Sequence, residues 1–173
     1  MISDILNNAA RFIFLILFQV LLLNNIQFSG YINPFLYIMF ILMLPFETPV
    51  WLVLILGFLT GLTVDTFSDS VGLHAAACTA MAYARGPILK LFSPRDGYEF
   101  GMKPTLYSMG TAWFLYYSAL LVLLHHSILF FLEIFRFSEF FFTIFKIIVS
   151  SMITLLLIYI SQLIIYRKKS GIS

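Results

Sequence analysis

Long apolar runs recur along the chain, each parted from the next by a short polar stretch, and this pattern limits the possible folds more than any motif does. A helix that crosses a bilayer takes about 20 apolar residues, so six crossings would use about 120 residues and leave about 50 for connections. No room remains for a soluble domain. The composition agrees, because a chain with 61% hydrophobic and 10% charged residues cannot coat a water-facing globule. The expected fold is therefore an all-α membrane protein, a six-helix bundle forming one integral-membrane domain over residues 1–173.

Several function classes fall away on composition. The formal net charge of +2 comes from 10 Lys+Arg against 8 Asp+Glu, too weak and too dispersed for a nucleic-acid surface. The single cysteine, Cys78, excludes an internal disulfide and a multi-thiolate metal site. The run Phe12 to Leu23 follows Asp4, Asn7, Asn8 and Arg11 and leads into Asn24, Asn25, Ile26 and Gln27, with no small-residue cleavage site. It reads as a retained helix and not a secretory signal.

The expected helices cover about 9–28, 31–46, 50–64, 72–92, 105–124 and 142–166. Asn33-Pro34 opens the second, which is barely long enough to span, and Pro45 closes it. Trp51 lies at an interfacial position of the third. In the fourth, Gly72, Ala76, Ala80 and Ala84 recur every four residues, so one face is open to close approach by a neighbouring backbone. The aromatic segment 128–142 carries Glu133, Arg136 and Glu139, a spacing suited to a partly interfacial helix. Arg85, Lys90, Arg95 and Lys103 surround the fourth-to-fifth connection, and Arg167, Lys168 and Lys169 form the C-terminal tail. The positive-inside rule assigns both groups to the cytoplasm, and an even number of spans brings Arg11 to the same side, so both termini are expected there. A five-helix reading without the short second span would leave Arg11 outside and fits the charges less well.

No His-Glu-x-x-His, Gly-x-Ser-x-Gly or phosphate-cradling Gly-Lys-Ser/Thr motif occurs, so neither catalytic residues nor a cofactor or metal is expected. Rings of adjacent residues on a helix point about 100° apart, which makes His125-His126 a poor chelate and suggests an interfacial pair at a helix end. Gly57, Gly61 and Asp65 are spaced by four and share a helical face. Close packing against the Gly72, Ala76, Ala80 face is expected. Asp65 itself reads two ways, as a hydrated headgroup-level carboxylate beside Asp69 or as a buried functional one that pairs with His74 or a partner. Lys146, one turn inside the last helix, is expected to snorkel outward. The 20 phenylalanines read as lipid-facing and packing residues.

The stretch Gly61-Leu-Thr-Val-Asp65 followed by Ser70-Val-Gly-Leu-His74, with the small-residue helix beyond it, resembles the bacterial rod shape-determining protein MreD family. The resemblance covers the whole chain in layout and positions 57 to 86 in motif. It implies a non-enzymatic subunit of the cell-elongation machinery in the bacterial inner membrane. The implied partners are the bitopic protein MreC, the filament protein MreB, and the glycosyltransferase and transpeptidase of peptidoglycan synthesis. That family is also similar in fold to the substrate-binding S components of energy-coupling-factor transporters, which supplies the alternative of a vitamin-binding subunit. The Ala-xxx-Ala contact motif of those transporters is missing from the first helix, where Ile13 and Phe14 stand four residues beyond Ala9 and Ala10.

Overall fold

The computed structural model describes the backbone of residues 2–25, 33–68, 70–134 and 139–169, with side chains over 6–25, 33–68, 70–134 and 139–165. Helix is the only regular structure among them. In chain order they form α1 (Ile2–Leu21), a 3-10 turn (Leu23–Asn25), a second 3-10 turn (Leu36–Ile38) running into α2 (Met39–Leu42), α3 (Val50–Ser68), α4 (Leu73–Leu91), α5 (Leu106–Met109), α6 (Thr111–Ile134) and α7 (Phe140–Lys169). Among the described residues, four stretches are long and apolar enough to cross a membrane: Leu6–Asn25, Val50–Ser68, Thr111–Ile134 and Phe140–Ile165. The expected set of six spanning helices is thus replaced by four plus two different elements. One is α4, whose Arg85, Lys90 and alanine-rich sequence lower its apolar character. The other is the short α2.

The second span expected over 31–46 is the largest departure. Its described part holds one 3-10 turn and one turn of α-helix, and every residue from 34 to 44 is buried, Tyr37, Ile38, Ile41 and Leu42 completely. A segment enclosed by other helices needs no spanning length, but its backbone ends lie away from water and must find partners inside the protein. They do. At the N-terminal end, Ser150 Oγ accepts from Asn33 N–H (3.2 Å), Thr154 Oγ1 from Phe35 N–H (3.0 Å) and Gln19 Oε1 from Leu36 N–H (2.8 Å), while Gln19 Nε2 donates to Pro34 O (3.0 Å). At the other end the Tyr117 hydroxyl donates to Leu42 O (3.0 Å), Arg11 Nη1 to Met43 O (3.2 Å), and Arg85 Nη2 to Leu44 O and Pro45 O.

These contacts also give each element its direction. Arg11 meets Met43 and Gln19 meets Leu36, so α1 runs antiparallel to the buried segment. α3 returns beside α1, ending where Asn24 Nδ2 donates to Ser68 Oγ (3.1 Å). α4 descends against α3, α6 rises against α4 through Arg85–Tyr117, and α7 descends against α6 through Lys146–Glu133 and His126–Thr154. One end of the bundle therefore gathers Arg11, Arg85, Lys90, the 92–105 connection and the start of α6. The opposite end gathers Asn24, Ser68, Ser70, Glu133 and Lys146.

Helix α6 corrects the expected boundary at His125-His126. The helix continues without a break to Ile134, and both histidines are fully buried at mid-bundle instead of marking an interface. The expected fifth helix over 105–124 is split at its start, where Gly110 (φ +82°) parts α5 from α6. The aromatic stretch is consequently divided between the end of α6 and the start of α7, with 135–138 outside the described residues. The 92–105 connection is folded back on the bundle: Tyr98 stacks on Phe46 with centroids 4.0 Å apart, its hydroxyl donates to Leu89 O (2.7 Å), and Trp113 Nε1 donates to Phe92 O (2.8 Å). Burial pushes the Tyr98 phenol above its ordinary range, in keeping with a hydroxyl that holds its proton as a donor.

Candidate functional site

The joint between α3 and α4 is built on glycine. A Cβ at Gly57 would stand 2.9 Å from Ala82 Cβ and 3.1 Å from Cys78 O, and one at Gly61 would overlap His74 O and the backbone of Ala75. Two backbones meet here, so side chains are excluded on the α3 side. The partner face on α4 is accordingly His74, Ala75, Cys78 and Ala82. This corrects the expected face: Ala76 is exposed and Ala80 half-buried, on the outward side of α4. Gly72 meets nothing within 4 Å and instead takes a left-handed conformation (φ +77°) that turns the chain into α4.

Asp65 comes off the end of that joint. It is buried, not at headgroup level, and its carboxylate reaches across to the start of α4. Oδ1 accepts from Ser70 Oγ (2.6 Å) and His74 N–H (3.0 Å), and Oδ2 from Ala75 N–H (2.9 Å). The first turn of a helix offers unpaired N–H groups and a partial positive charge, which together hold an anion well. Asp65 is thus the N-terminal cap of α4 supplied from α3. It meets His74 through the backbone. Asp69 lies outside the described residues.

The His74 ring faces the other way, into the core. Tyr37 Oη lies 2.8 Å from His74 Nδ1 and 2.9 Å from His125 Nε2, with Cys78 Sγ at 3.7 Å. A phenol has one proton, so it donates to one imidazole and accepts an N–H from the other. His125 Nδ1 is buried with no partner among the described residues. His126 belongs to a second chain of bonds: Thr154 Oγ1 accepts from Phe35 N–H (3.0 Å) and lies 3.2 Å from His126 Nε2, while Nδ1 lies 2.9 Å from Val122 O. Donation by the Thr154 hydroxyl to Nε2 and by Nδ1–H to Val122 O satisfies every group with a neutral ring. Phe35 packs in the middle, 5.1 to 6.0 Å from the rings of His74, His125 and His126. All 3 histidines of the chain therefore pack around Phe35, and His74 and His125 meet at Tyr37.

Above this cluster a cavity of about 810 Å³ opens at the Asn24–Glu133 end, lined among others by Gln19, Asn24, Asn33, Ser70, His74 and Glu133. Lys146 approaches the same end. It does not snorkel: it is 7% exposed, bonds Glu133 at 3.0 Å and sits 4.3 Å from the Phe130 ring centre. Ser70 donates to Asp65 while the His74 ring turns to Tyr37, so no imidazole activates the hydroxyl. Among the described residues no group of three or more His, Cys, Asp or Glu side chains is arranged to hold a metal ion.

The basic residues read as cytoplasmic fall into three groups. Arg85 is buried, 2% exposed, because the carbonyls ending the α2 segment draw it inward. Lys90 and Arg95 are exposed, and Lys103 is half-buried. The side chains of Arg167, Lys168 and Lys169 lie outside the described residues. Tyr37, His125, Gln19, Glu133 and Thr154 entered the cluster without being singled out as one site by the sequence. Each had at most a separate local signal: His125 in the adjacent histidine pair, Glu133 in the charged aromatic segment and Gln19 as a polar residue within an apolar helix. No protein-family model, no curated protein and no solved structure matches the chain.

Proposed function

We propose that the protein is a non-enzymatic adaptor subunit of the bacterial cell-elongation and peptidoglycan-synthesis complex, an MreD-like protein of the inner membrane acting with MreC. The observation that carries this reading is the use made of the family-like motif. Gly57, Gly61 and Asp65 build a rigid joint with the start of α4, and Asp65 is occupied by three donors instead of facing a substrate. On the outer side of that joint lies an apolar groove of about 640 Å³, lined by Leu54, Phe58, Leu62, Gly72, Ala76 and Ala80. Its small-residue floor suits the single membrane helix of a bitopic partner such as MreC. MreB and the wall-synthesis glycosyltransferase and transpeptidase join through the same assembly, and both chain ends face the cytoplasm.

Co-purification with MreC tests the reading. Ala76→Leu and Ala80→Leu fill the groove without touching the α3–α4 joint, so both variants should stay folded, lose most of the MreC and leave cells rounded when they replace the native copy. Full recovery of MreC with normal rods would sink it. A second reading, a vitamin-binding S component of an energy-coupling-factor transporter, is favoured by one observation, the 810 Å³ cavity beside His74. Wall-synthesis genes beside the coding sequence support the adaptor. An ATPase pair beside it, or a stoichiometric vitamin in the purified protein, supports the transporter.

A further inference from the structure

At the opposite end from Asn24 and Glu133, α3, α4 and the folded-back 92–105 connection enclose a crevice of about 340 Å³, lined by Phe46, Thr48, Arg85, Lys90, Ser93 and Tyr98 among others. We infer that this crevice is an anion site that takes a phosphate group, held between the Arg85 guanidinium and the Lys90 ammonium.

Three features point there. First, Arg85 is buried, yet no carboxylate within ion-pair distance balances it among the described residues. A buried cation without a counter-charge is costly, and an anion from outside removes that cost. Second, the guanidinium has donors to spare. Nε donates to the Tyr117 hydroxyl (3.1 Å) and Nη2 to Leu44 O and Pro45 O, while Nη1 makes no hydrogen bond with any described residue. Arg85 lines the crevice together with Lys90, and Nη1 is the part of its guanidinium whose donors are left for a ligand there. An N–H of a guanidinium donates a strong charge-assisted hydrogen bond to a phosphate oxygen.

Third, the crevice is held in shape independently of any ligand. Tyr98 is fixed by its stack on Phe46 and its bond to Leu89 O, and Gly101 N–H donates to Glu47, which keeps that carboxylate on the loop and off the crevice lining. The Thr48 and Ser93 hydroxyls donate to Pro45 O and Pro94 O, so Arg85 and Lys90 are the donors left for an incoming anion. Lys90 is exposed and has no partner among the described residues. The headgroup of an anionic phospholipid and a free phosphate share this chemistry. Both satisfy Nη1.

The test uses the full-length protein in detergent and follows anion binding by native mass spectrometry and thermal unfolding. Three additions are compared: phosphatidylglycerol, phosphatidylcholine and millimolar inorganic phosphate. Binding of phosphatidylglycerol above phosphatidylcholine supports a lipid headgroup, and stabilisation by phosphate alone supports a soluble ligand. Arg85 also holds the α2 segment, so the variant of choice is the exposed Lys90→Gln. It should weaken the preferred anion about tenfold, as loss of one charge-assisted contact does. Arg95→Gln, a nearby exposed cation outside the crevice, should change affinity less than twofold. No anion preference, an unaffected Lys90→Gln, or equal losses in both variants would each overturn the site.

Discussion

At Gly61 a single methyl group separates a tolerated residue from a broken joint. Its Cβ would overlap the carbonyl of His74 and the backbone of Ala75, atoms that cannot rotate away, so α3 and α4 would have to part. Gly61→Ala should therefore lower stability by about 1–3 kcal/mol, the usual range for overpacking. Ala76→Leu, on the outward face, should leave the thermal midpoint in detergent unchanged. Equal losses would refute the assignment of faces. Asp65→Asn belongs to the same joint: an amide offers one acceptor oxygen to three donors and turns its own N–H groups toward them. A buried group left unpaired costs about 1–3 kcal/mol, so this variant should also unfold earlier, where a merely hydrated carboxylate would show nothing. The sequence carried the four-residue spacing of Gly57, Gly61 and Asp65, but which side of α4 they meet was not legible, since Gly72, Ala76 and Ala80 are as small as Ala75, Cys78 and Ala82.

Among the elements, α2 with its flanking turns is the least like its sequence expectation and the most dependent on its neighbours. Two short helical turns cannot hold their own end groups, so polar side chains from α1, α4, α6 and α7 do so. Gln19 serves two of these groups at once, Leu36 N–H at 2.8 Å and Pro34 O at 3.0 Å. Gln19→Leu keeps the volume and removes both bonds. The expected result is a loss of about 1–3 kcal/mol for each stranded group and faster hydrogen exchange at the Leu36 amide. Unchanged exchange there would mean that the segment is held by packing alone. Pro34 and Pro45 were readable as the limits of a helix, whereas its burial was not. An apolar run of this length serves equally well as a short span or as a core segment.

For the whole molecule, the alternating directions gather the 92–105 connection and Arg11 at one end, and α7 heads for that end as it passes Met43 at Gln162. If the exposed cations Lys90 and Arg95 mark the cytoplasmic side, reporter fusions at Gly97 and Ser173 should read cytoplasmic and one at Ser68 external. A C-terminal reporter active on the outside contradicts that topology. The hydrogen-bonded polar core has a bearing on assembly too: Tyr37, His74 and His125 sit among apolar helices as a fixed network, and such networks favour one packing arrangement over its alternatives.

The sequence by itself determined the all-helical class, the apolar character of the long helices, the cation Arg95 exposed on the 92–105 connection and the glycine face of α3. These follow from properties a residue carries with it: apolar run length, helical spacing, and the rule that charge avoids hydrocarbon. Tertiary structure decided what depends on neighbours far along the chain. It drew Arg85 inward to the carbonyls of Leu44 and Pro45, paired Lys146 with Glu133, enclosed His125 and His126, and turned the Gly72–Ala76–Ala80 stripe outward. In each case a polar group or small residue had two acceptable positions by local rules. The choice fell to whichever neighbour completed a hydrogen bond or allowed two backbones to touch.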